Sequence, residues 1–554
     1  MKIKLVTASL ILSAAFLTGF YLAESTIKKS HEKFEVLPSN HFSFSDRVID
    51  ILHYNLTIDL FPAEKILKGK AVITGLLSDN NLKQIKLDFH DNMLIKSLLL
   101  NNNEVKFYHN KSSLIINTFD QIIDTFVIEI NYEGTPKRLG FASFVFGEIN
   151  GRSLVYTLNE PNYASTWFPC NDIPDDKALL DIKITSDSQN VSVSNGILIG
   201  IDTLGNRVSY HWKTIYPIST YLICIYSSNY VHFNDYYVTA SDDTMQIKYY
   251  SLPENYEKAK IDWEDHPQML KVLSSLFGEY PFIKEKYGVA EFLWRYGAME
   301  HQTITGIGTN FISGKKFFTD TYVHELAHHW WGNSVGPKTW KDIWLNEGFA
   351  TYSEALYNEF LYGKNALVST MLSKVSESFN GRLYDPIDDL FSPTIYNKGA
   401  WVLHMLRNEV GDSSFFAILR GYYNKYKYSN ASTQNFIEVC EEFSGKNLSD
   451  FFNHWVFNEG GLVRIDYTWK VFSKETFYIL NLNIENLTNM GKYSLPLEIV
   501  IQYDNKEEDI IEKLRLNYGV NSFTYHLNKR PNDVVLDPNY HLFAKIIDKN
   551  SYEK

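Results

Sequence analysis

His324-Glu325-Leu326-Ala327-His328 sets two imidazoles four residues apart, with a carboxylate beside the first. On a helix, positions four apart share a face, so both rings can reach one metal ion. Glu325 is turned to one side of that face, where it can take a proton from a water acidified by the ion. A third donor follows in Trp344-Leu345-Asn346-Glu347-Gly348-Phe349-Ala350. Eighteen residues (329–346) separate His328 from Glu347, room for a helix end, a loop and the start of a second helix. Two histidines and one carboxylate leave a coordination position open, which marks a catalytic rather than a closed structural zinc site. The prediction is one zinc ion per chain on His324, His328 and Glu347, with Glu325 as general base. His329 points elsewhere on the helix and is read as a non-ligand. Asp320, Thr321 and Asp342 are available for capping or for holding the ligands.

The elements that must position these residues follow from the apolar spacing. Apolar positions recur at helical intervals over 322–333, 347–362, 398–410 and 413–426. Before them, from about 45 to 240, strand-like runs such as 49–60 and 126–132 are separated by Asn, Asp and Gly clusters, which predicts an antiparallel β domain. After them, 465–471, 476–484 and 493–503 read as strands again. The layout is multi-domain α+β: an N-terminal β domain over 43–244, a mostly helical catalytic domain over 245–458 and a C-terminal β domain over 459–554.

The motif set resembles the aminopeptidase N family of gluzincin metallopeptidases, which includes leukotriene hydrolase. The resemblance rests on H-E-L-A-H, the 18-residue gap and W-L-N-E-G-F-A, and extends to four further segments. Gly297-Ala298-Met299-Glu300-His301 is similar to the family's G-x-M-E-N motif. Tyr396-Asn397-Lys398-Gly399-Ala400 is similar to Y-x-K-G-A. Trp167-Phe168-Pro169-Cys170-Asn171-Asp172 is similar to W/F-F-P-C-x-D, just after Asn159-Glu160-Pro161. The resemblance implies an N-terminal β saddle, a thermolysin-like catalytic domain and a C-terminal β-sandwich; the further C-terminal helical cap domain that many members carry is not expected, because no such block of helices remains in the sequence. It implies an aminopeptidase acting on peptides with a free N-terminus. Glu300 and Glu160 would bind the α-amine. Gly297, Ala298 and Met299 would lie along the peptide backbone, and Tyr396 would donate to the oxyanion. His301 stands where the family has Asn. It either supports the loop or, protonated, pairs with Glu300; disturbance of the amine site would favour an endopeptidase or dipeptidyl-peptidase. A non-catalytic surface protein that keeps the zinc is the remaining alternative.

Bulk properties narrow the field. With 45% hydrophobic and 21% charged residues the chain has the balance of a folded protein. A net charge of −12 with no dense basic block excludes a nucleic-acid partner. Three cysteines are too few for a disulfide framework and allow one bridge at most. Lys2 and Lys4 precede an apolar run over residues 5–23, the pattern of an export signal or a membrane tether. Residues 24–42 read as a polar linker. The body is therefore expected outside the cytoplasm. The sequence leaves the oligomeric state open.

Overall fold

A computed structural model describes residues 49–77, 83–118, 125–379, 381–387 and 389–552. The signal or anchor expected over 1–23 and the linker over 24–42 lie outside them. No helix among the described residues is long and apolar enough to cross a membrane.

The N-terminal region is built on an eight-stranded sheet. Ile49–Phe61 and Ile66–Leu77 form its central hairpin. Tyr54, Leu56, Ile58 and Leu60 alternate into the core at 0% exposure. A one-residue register slip would turn all four to solvent, at about 1.5–3 kcal/mol each. One pairing departs from the antiparallel expectation: Ile49–Phe61 runs parallel to Leu179–Asp187. No local signal announces a partner more than a hundred residues away. A smaller sheet carries Arg152–Leu158, whose end leads into Glu160.

The next unit is a five-stranded sheet in the order Val231–Val238, Thr244–Ser251, Tyr287–Phe292, Thr305–Gly308, Ala298–Met299. The expected boundary after residue 244 falls inside this sheet, because its first two strands pair with each other and then with Tyr287–Phe292. Tyr287–Phe292 is buried along its whole length and parallel to both neighbours, as covered α/β sheets require. Ala298–Met299 forms the edge, antiparallel to Thr305–Gly308.

Among the described residues nine α-helices follow or flank this sheet: α1 (Tyr256–Trp263), α2 (His266–Phe277), α3 (Thr319–Ala327), α4 (Trp344–Tyr362), α5 (Lys364–Ser373), α6 (Gly399–Val410), α7 (Asp412–Tyr426), α8 (Thr433–Ser444) and the short α9 (Ser449–Phe452). Helix α3 stops at Ala327, with His328 as its cap, instead of running on to residue 333. Tight turns close behind it, with His329 N–H donating to the Leu326 carbonyl and Trp330 N–H to that of Ala327. The chain then reverses at Gly332, whose φ of +125° is closed to other residues. Asp262 of α1 fixes the entry to α3 by accepting from the backbone N–H groups of Ser313, Gly314 and Lys316.

Helices α4 and α6 cross at two glycines. A Cβ built on Gly399 would lie 2.9 Å from the Gly348 Cα, and one on Gly348 would lie 3.0 Å from the Gly399 backbone. The contact fixes the chain on both sides of it, since Glu347 precedes Gly348 and a π-helical turn, Thr394–Lys398, carries Tyr396 into Gly399.

The C-terminal region packs a four-stranded sheet containing Val463–Ser473 and Tyr478–Asn486 against a three-stranded one centred on Leu495–Gln502. Leu480, Leu482, Ile484, Leu497, Ile499 and Ile501 fill the space between them. This sandwich is tied to α6 through Glu409, which accepts from Arg515 and from the Tyr493 hydroxyl, and through His404 against the Tyr540 carbonyl. No disulfide links Cys170, Cys224 and Cys440.

The glycine crossing generates a prediction. Alanine is the better helix former by about 1 kcal/mol, but an added methyl against backbone costs about 1–3 kcal/mol. Gly399→Ala is expected to lower both the melting temperature and kcat, since the displaced backbone carries Tyr396. Unchanged melting and unchanged turnover would show that the crossing has slack.

Candidate active site

Three ligand atoms converge where α3 meets α4. His324 Nε2 and His328 Nε2 are 3.1 Å apart, and Glu347 Oε2 lies 3.3 and 3.4 Å from them. Tetrahedral zinc with bonds of about 2.0–2.2 Å requires ligand–ligand edges of about 3.3 Å. Glu347 is 3% exposed, and its Oε2 has no hydrogen-bond partner. Lone pairs aimed at one another in a buried space repel unless a cation lies between them. The donor set therefore fits one zinc ion.

The far side of each ring fixes its tautomer. His324 Nδ1 is 3.0 Å from Glu354 Oε1, and His328 Nδ1 is 3.1 Å from the Trp331 carbonyl. Both partners are acceptors, so the protons reside on Nδ1 and the Nε2 lone pairs face the ion site. Glu354 is absent from the sequence reading. Its signal was its place seven residues after Glu347, two turns along the same face of α4. Asp320 and Asp342 hold other groups instead. Asp320 accepts from Asn358, while Asp342 accepts from the Thr433 N–H and hydroxyl at the start of α8. His329 lies between the Tyr280 hydroxyl at 2.8 Å and Thr305, away from the ion site.

Glu325 is 7% exposed, and donor atoms of Glu300, Glu325 and His328 lie within 4.8 Å of one another. Burial pushes the Glu325 carboxyl up to about 8, with Glu300 and Glu347 adding to the rise and His324 and His328 opposing it. A cation on the triad acts in the opposing direction and favours the ionised base. Tyr396 stacks on His324 with centroids 5.8 Å apart at 15°. Burial first, then the charges of Glu347, Glu160 and Glu300, hold its hydroxyl protonated and able to donate.

Glu160 and Glu300 close the other side. Both are buried, and each has an Oε1 without a partner. Burial raises both carboxyls, and each glutamate's neighbours include further carboxylates. The Glu160 segment is held by Asn159, which accepts from Trp167 Nε1 and donates to the Ile223 carbonyl. Asp172 of the same W-F-P-C-N-D segment accepts from Ser165 N–H and the Thr220 hydroxyl. Asn333, behind α3, donates to the Glu300 carbonyl at 2.7 Å. His301 is fully buried with Nδ1 2.6 Å from the Tyr226 hydroxyl, and burial drives its pKa down to about 3. Nδ1 faces Tyr226 and burial disfavours the charged ring, which speaks for loop support and against a charged pairing with Glu300.

Gly297, Ala298 and Met299 run along the sheet edge. The Gly297 carbonyl accepts from Gly308 N–H at 3.1 Å. A Cβ on Gly308 would sit 2.1 Å from the Trp294 carbonyl, which is why this loop can close so tightly over the strand. Beyond Ala298–Met299 the sheet has no further strand among the described residues, leaving an edge that an extended peptide can join.

This is the architecture of a single-zinc metallopeptidase domain. The comparisons specify it further. A model of the peptidase M1 N-terminal domain matches residues 51–222, and one of the peptidase family M1 domain matches residues 263–455. The chain belongs to peptidase family M1. It is 24% identical to a probable aminopeptidase of Sulfurisphaera tokodaii over 83% of this chain and 60% of that protein. It is 26% identical to aminopeptidase M1-A of Oryza sativa subsp. japonica over 63% of this chain and 42% of that protein. The chain thus spans less than two thirds of these relatives. Among solved structures, Legionella pneumophila aminopeptidase A in complex with aspartic acid superposes with a TM-score of 0.79 at 22% identity, covering 91% of this chain and 60% of that one. A Deinococcus radiodurans M1 zinc metallopeptidase gives 0.67 at 25% identity, covering 76% and 95%.

The geometry separates ligand from base. Glu347→Ala is expected to lose zinc, measured as metal content after gel filtration. Glu325→Gln is expected to keep about one zinc per chain and lose orders of magnitude in kcat. A fully metallated Glu347→Ala protein would contradict the three-donor site.

Proposed function

We propose that this chain is a zinc-dependent aminopeptidase that removes residues from the free N-termini of peptides. The observation that carries the reading is the pair of buried, unpartnered carboxylate oxygens of Glu160 and Glu300 beside the zinc triad. A desolvated carboxylate is costly unless a cation meets it, and a peptide's α-ammonium is a cation held one residue from the first peptide bond. The names of the aminopeptidase relatives support the same activity.

In the proposed mechanism the peptide adds to the edge formed by Gly297, Ala298 and Met299, which sets its backbone direction. Glu160 and Glu300 hold the ammonium and so fix which bond reaches the triad. Zinc on His324, His328 and Glu347 would polarise the scissile carbonyl and acidify the attacking water. Glu325 takes the water's proton at its carboxylate and delivers it to the leaving amine. Tyr396 donates its hydroxyl to the oxygen that becomes negative, a contribution commonly worth about 3–4 kcal/mol.

An endopeptidase or dipeptidyl-peptidase would require an amine site that is disturbed or set further away. The neutral His301 leaves Glu300 in place against the edge strand, which favours single-residue removal. A zinc-holding surface protein without turnover has no use for Glu325 or Tyr396. Export is part of the proposal and is supported by Lys2, Lys4 and the apolar run over 5–23; fractionation of the expressing cell, with recovery in the cytosol as the contrary result, tests it.

Free and N-acetylated peptides test the central reading. Cleavage of the free form is expected to be faster by about a hundredfold or more. Glu300→Ala should collapse the ratio by slowing free-amine substrates, while His301→Asn should leave it intact. Equal cleavage of both forms by the unmodified protein would overturn the aminopeptidase assignment and leave the metallopeptidase assignment standing.

A further inference from the structure

Glu354 does not hold His324 alone. Its second carboxylate oxygen, Oε2, accepts from Lys374 Nζ at 2.6 Å. The pair is largely buried, with the Lys374 side chain 15% exposed and that of Glu354 9%. The two residues come from different elements: Glu354 lies within α4, and Lys374 is the residue that ends α5. A line of contacts thus runs from Lys374 Nζ through both oxygens of Glu354 to His324 Nδ1, and His324 Nε2 faces the ion site.

We propose that Lys374 is a positioning residue for the zinc ion, acting through Glu354 on the orientation of His324. The inference rests on the zinc-site reading above and concerns a residue that touches neither metal nor substrate. A carboxylate with one oxygen on an imidazole N–H and the other on an ammonium has its rotation fixed at both ends, so the ring it holds is fixed as well. Without the ammonium, Oε2 becomes a buried anionic oxygen lacking its charge partner, with the Asp320 carboxylate nearby as a further negative charge. The carboxylate is then free to turn toward solvent, and that rotation withdraws the acceptor that His324 Nδ1 needs. Arginine at the same place would keep the charge and the donor. A purely structural bridge between α5 and α4 predicts something different: lost stability of the metal-free protein with zinc affinity unchanged.

The test is the zinc dissociation constant of the full chain, measured by competition with a chromophoric chelator, alongside melting of the metal-free protein. K374M is expected to weaken zinc about tenfold or more, within the ten- to hundredfold range of such outer partners. K374R should stay within a few-fold of the unmodified protein. E354Q should weaken zinc at least as much as K374M, and excess zinc should restore most of the K374M turnover. If K374M keeps full zinc affinity, the proposal is overturned, whether or not metal-free melting falls. If E354Q loses affinity and K374M does not, the relay ends at Glu354 and the proposal is again overturned. Failure of the underlying reading looks different: the unmodified protein would not bind one zinc, or Glu347→Ala would bind it equally well.

Discussion

Two imidazole lone pairs and a carboxylate oxygen aimed at one buried point are a repulsive arrangement that only a cation makes tolerable. The rest of the catalytic unit acts to keep them there. Asp262 fixes the start of α3 through three backbone N–H groups. The Trp331 carbonyl and Glu354 hold the two rings from behind. The contact of Gly348 with Gly399 brings α4 and α6 to backbone distance, which places Glu347 and Tyr396 on the same side of the crossing. Packing of this kind is stiff, so the donor atoms hold their geometry against their own repulsion.

The site also depends on the seam between the first two regions. Glu160 comes from the N-terminal region and Glu300 from the edge loop of the second sheet. Lys177 spans the seam: its ammonium donates to the carbonyls of Asn333, Ser334 and Ser429 at 2.7–2.9 Å. Asn333 in turn holds the Glu300 carbonyl. Lys286 makes a second tie, donating to the Ser194 and Thr303 carbonyls. Buried ammoniums satisfied by carbonyls are directional, and loss of either would leave several acceptors unpaired at once. Glu160 and Glu300 are thereby held in register even though they come from separate regions of the chain.

Much of this was legible in the sequence because the chemistry is written at fixed local spacings. His324 and His328 share a helical face, and Glu347 opens the next long helix. The alternation over 49–60 gave the central strand nearly to its ends. What escaped was non-local or conformational. Helix α3 ends at Ala327 because Gly332 reverses the chain, while the apolar run itself continues through Trp330 and Trp331. The strands over 231–251 look like their neighbours in the first region and are assigned to the second sheet only by their pairing with Tyr287–Phe292. Glu354 and Lys374 carry no motif of their own. One is recognisable only by its two-turn offset from Glu347, and the other only by the way α5 packs on α4. His301 is the opposite case: its type is conspicuous, and only its burial against Tyr226 reveals that the charged form is disfavoured.

Charge accounting connects these parts. Glu160, Glu300, Glu325, Glu347 and Glu354 are all buried around one centre. In the metal-free chain the cations close to them are Lys374 and any proton the histidines take up, and burial pushes Glu160, Glu300 and Glu325 toward the neutral form. Under the proposed function zinc would offset two of these five charges, Lys374 a third and a substrate ammonium a fourth, with Asp320 adding one more beside Glu354. Of the five glutamates one is then left without a cation, and Glu325 is the one placed to receive a proton from water. A site balanced in this way favours the ionised base when metal and a free N-terminus are both present. On that reading a blocked peptide would leave a second buried anion uncompensated, at Glu160 and Glu300. If the proposed function holds, recognition of the amine and activation of the base are one electrostatic problem, met by the same ligand.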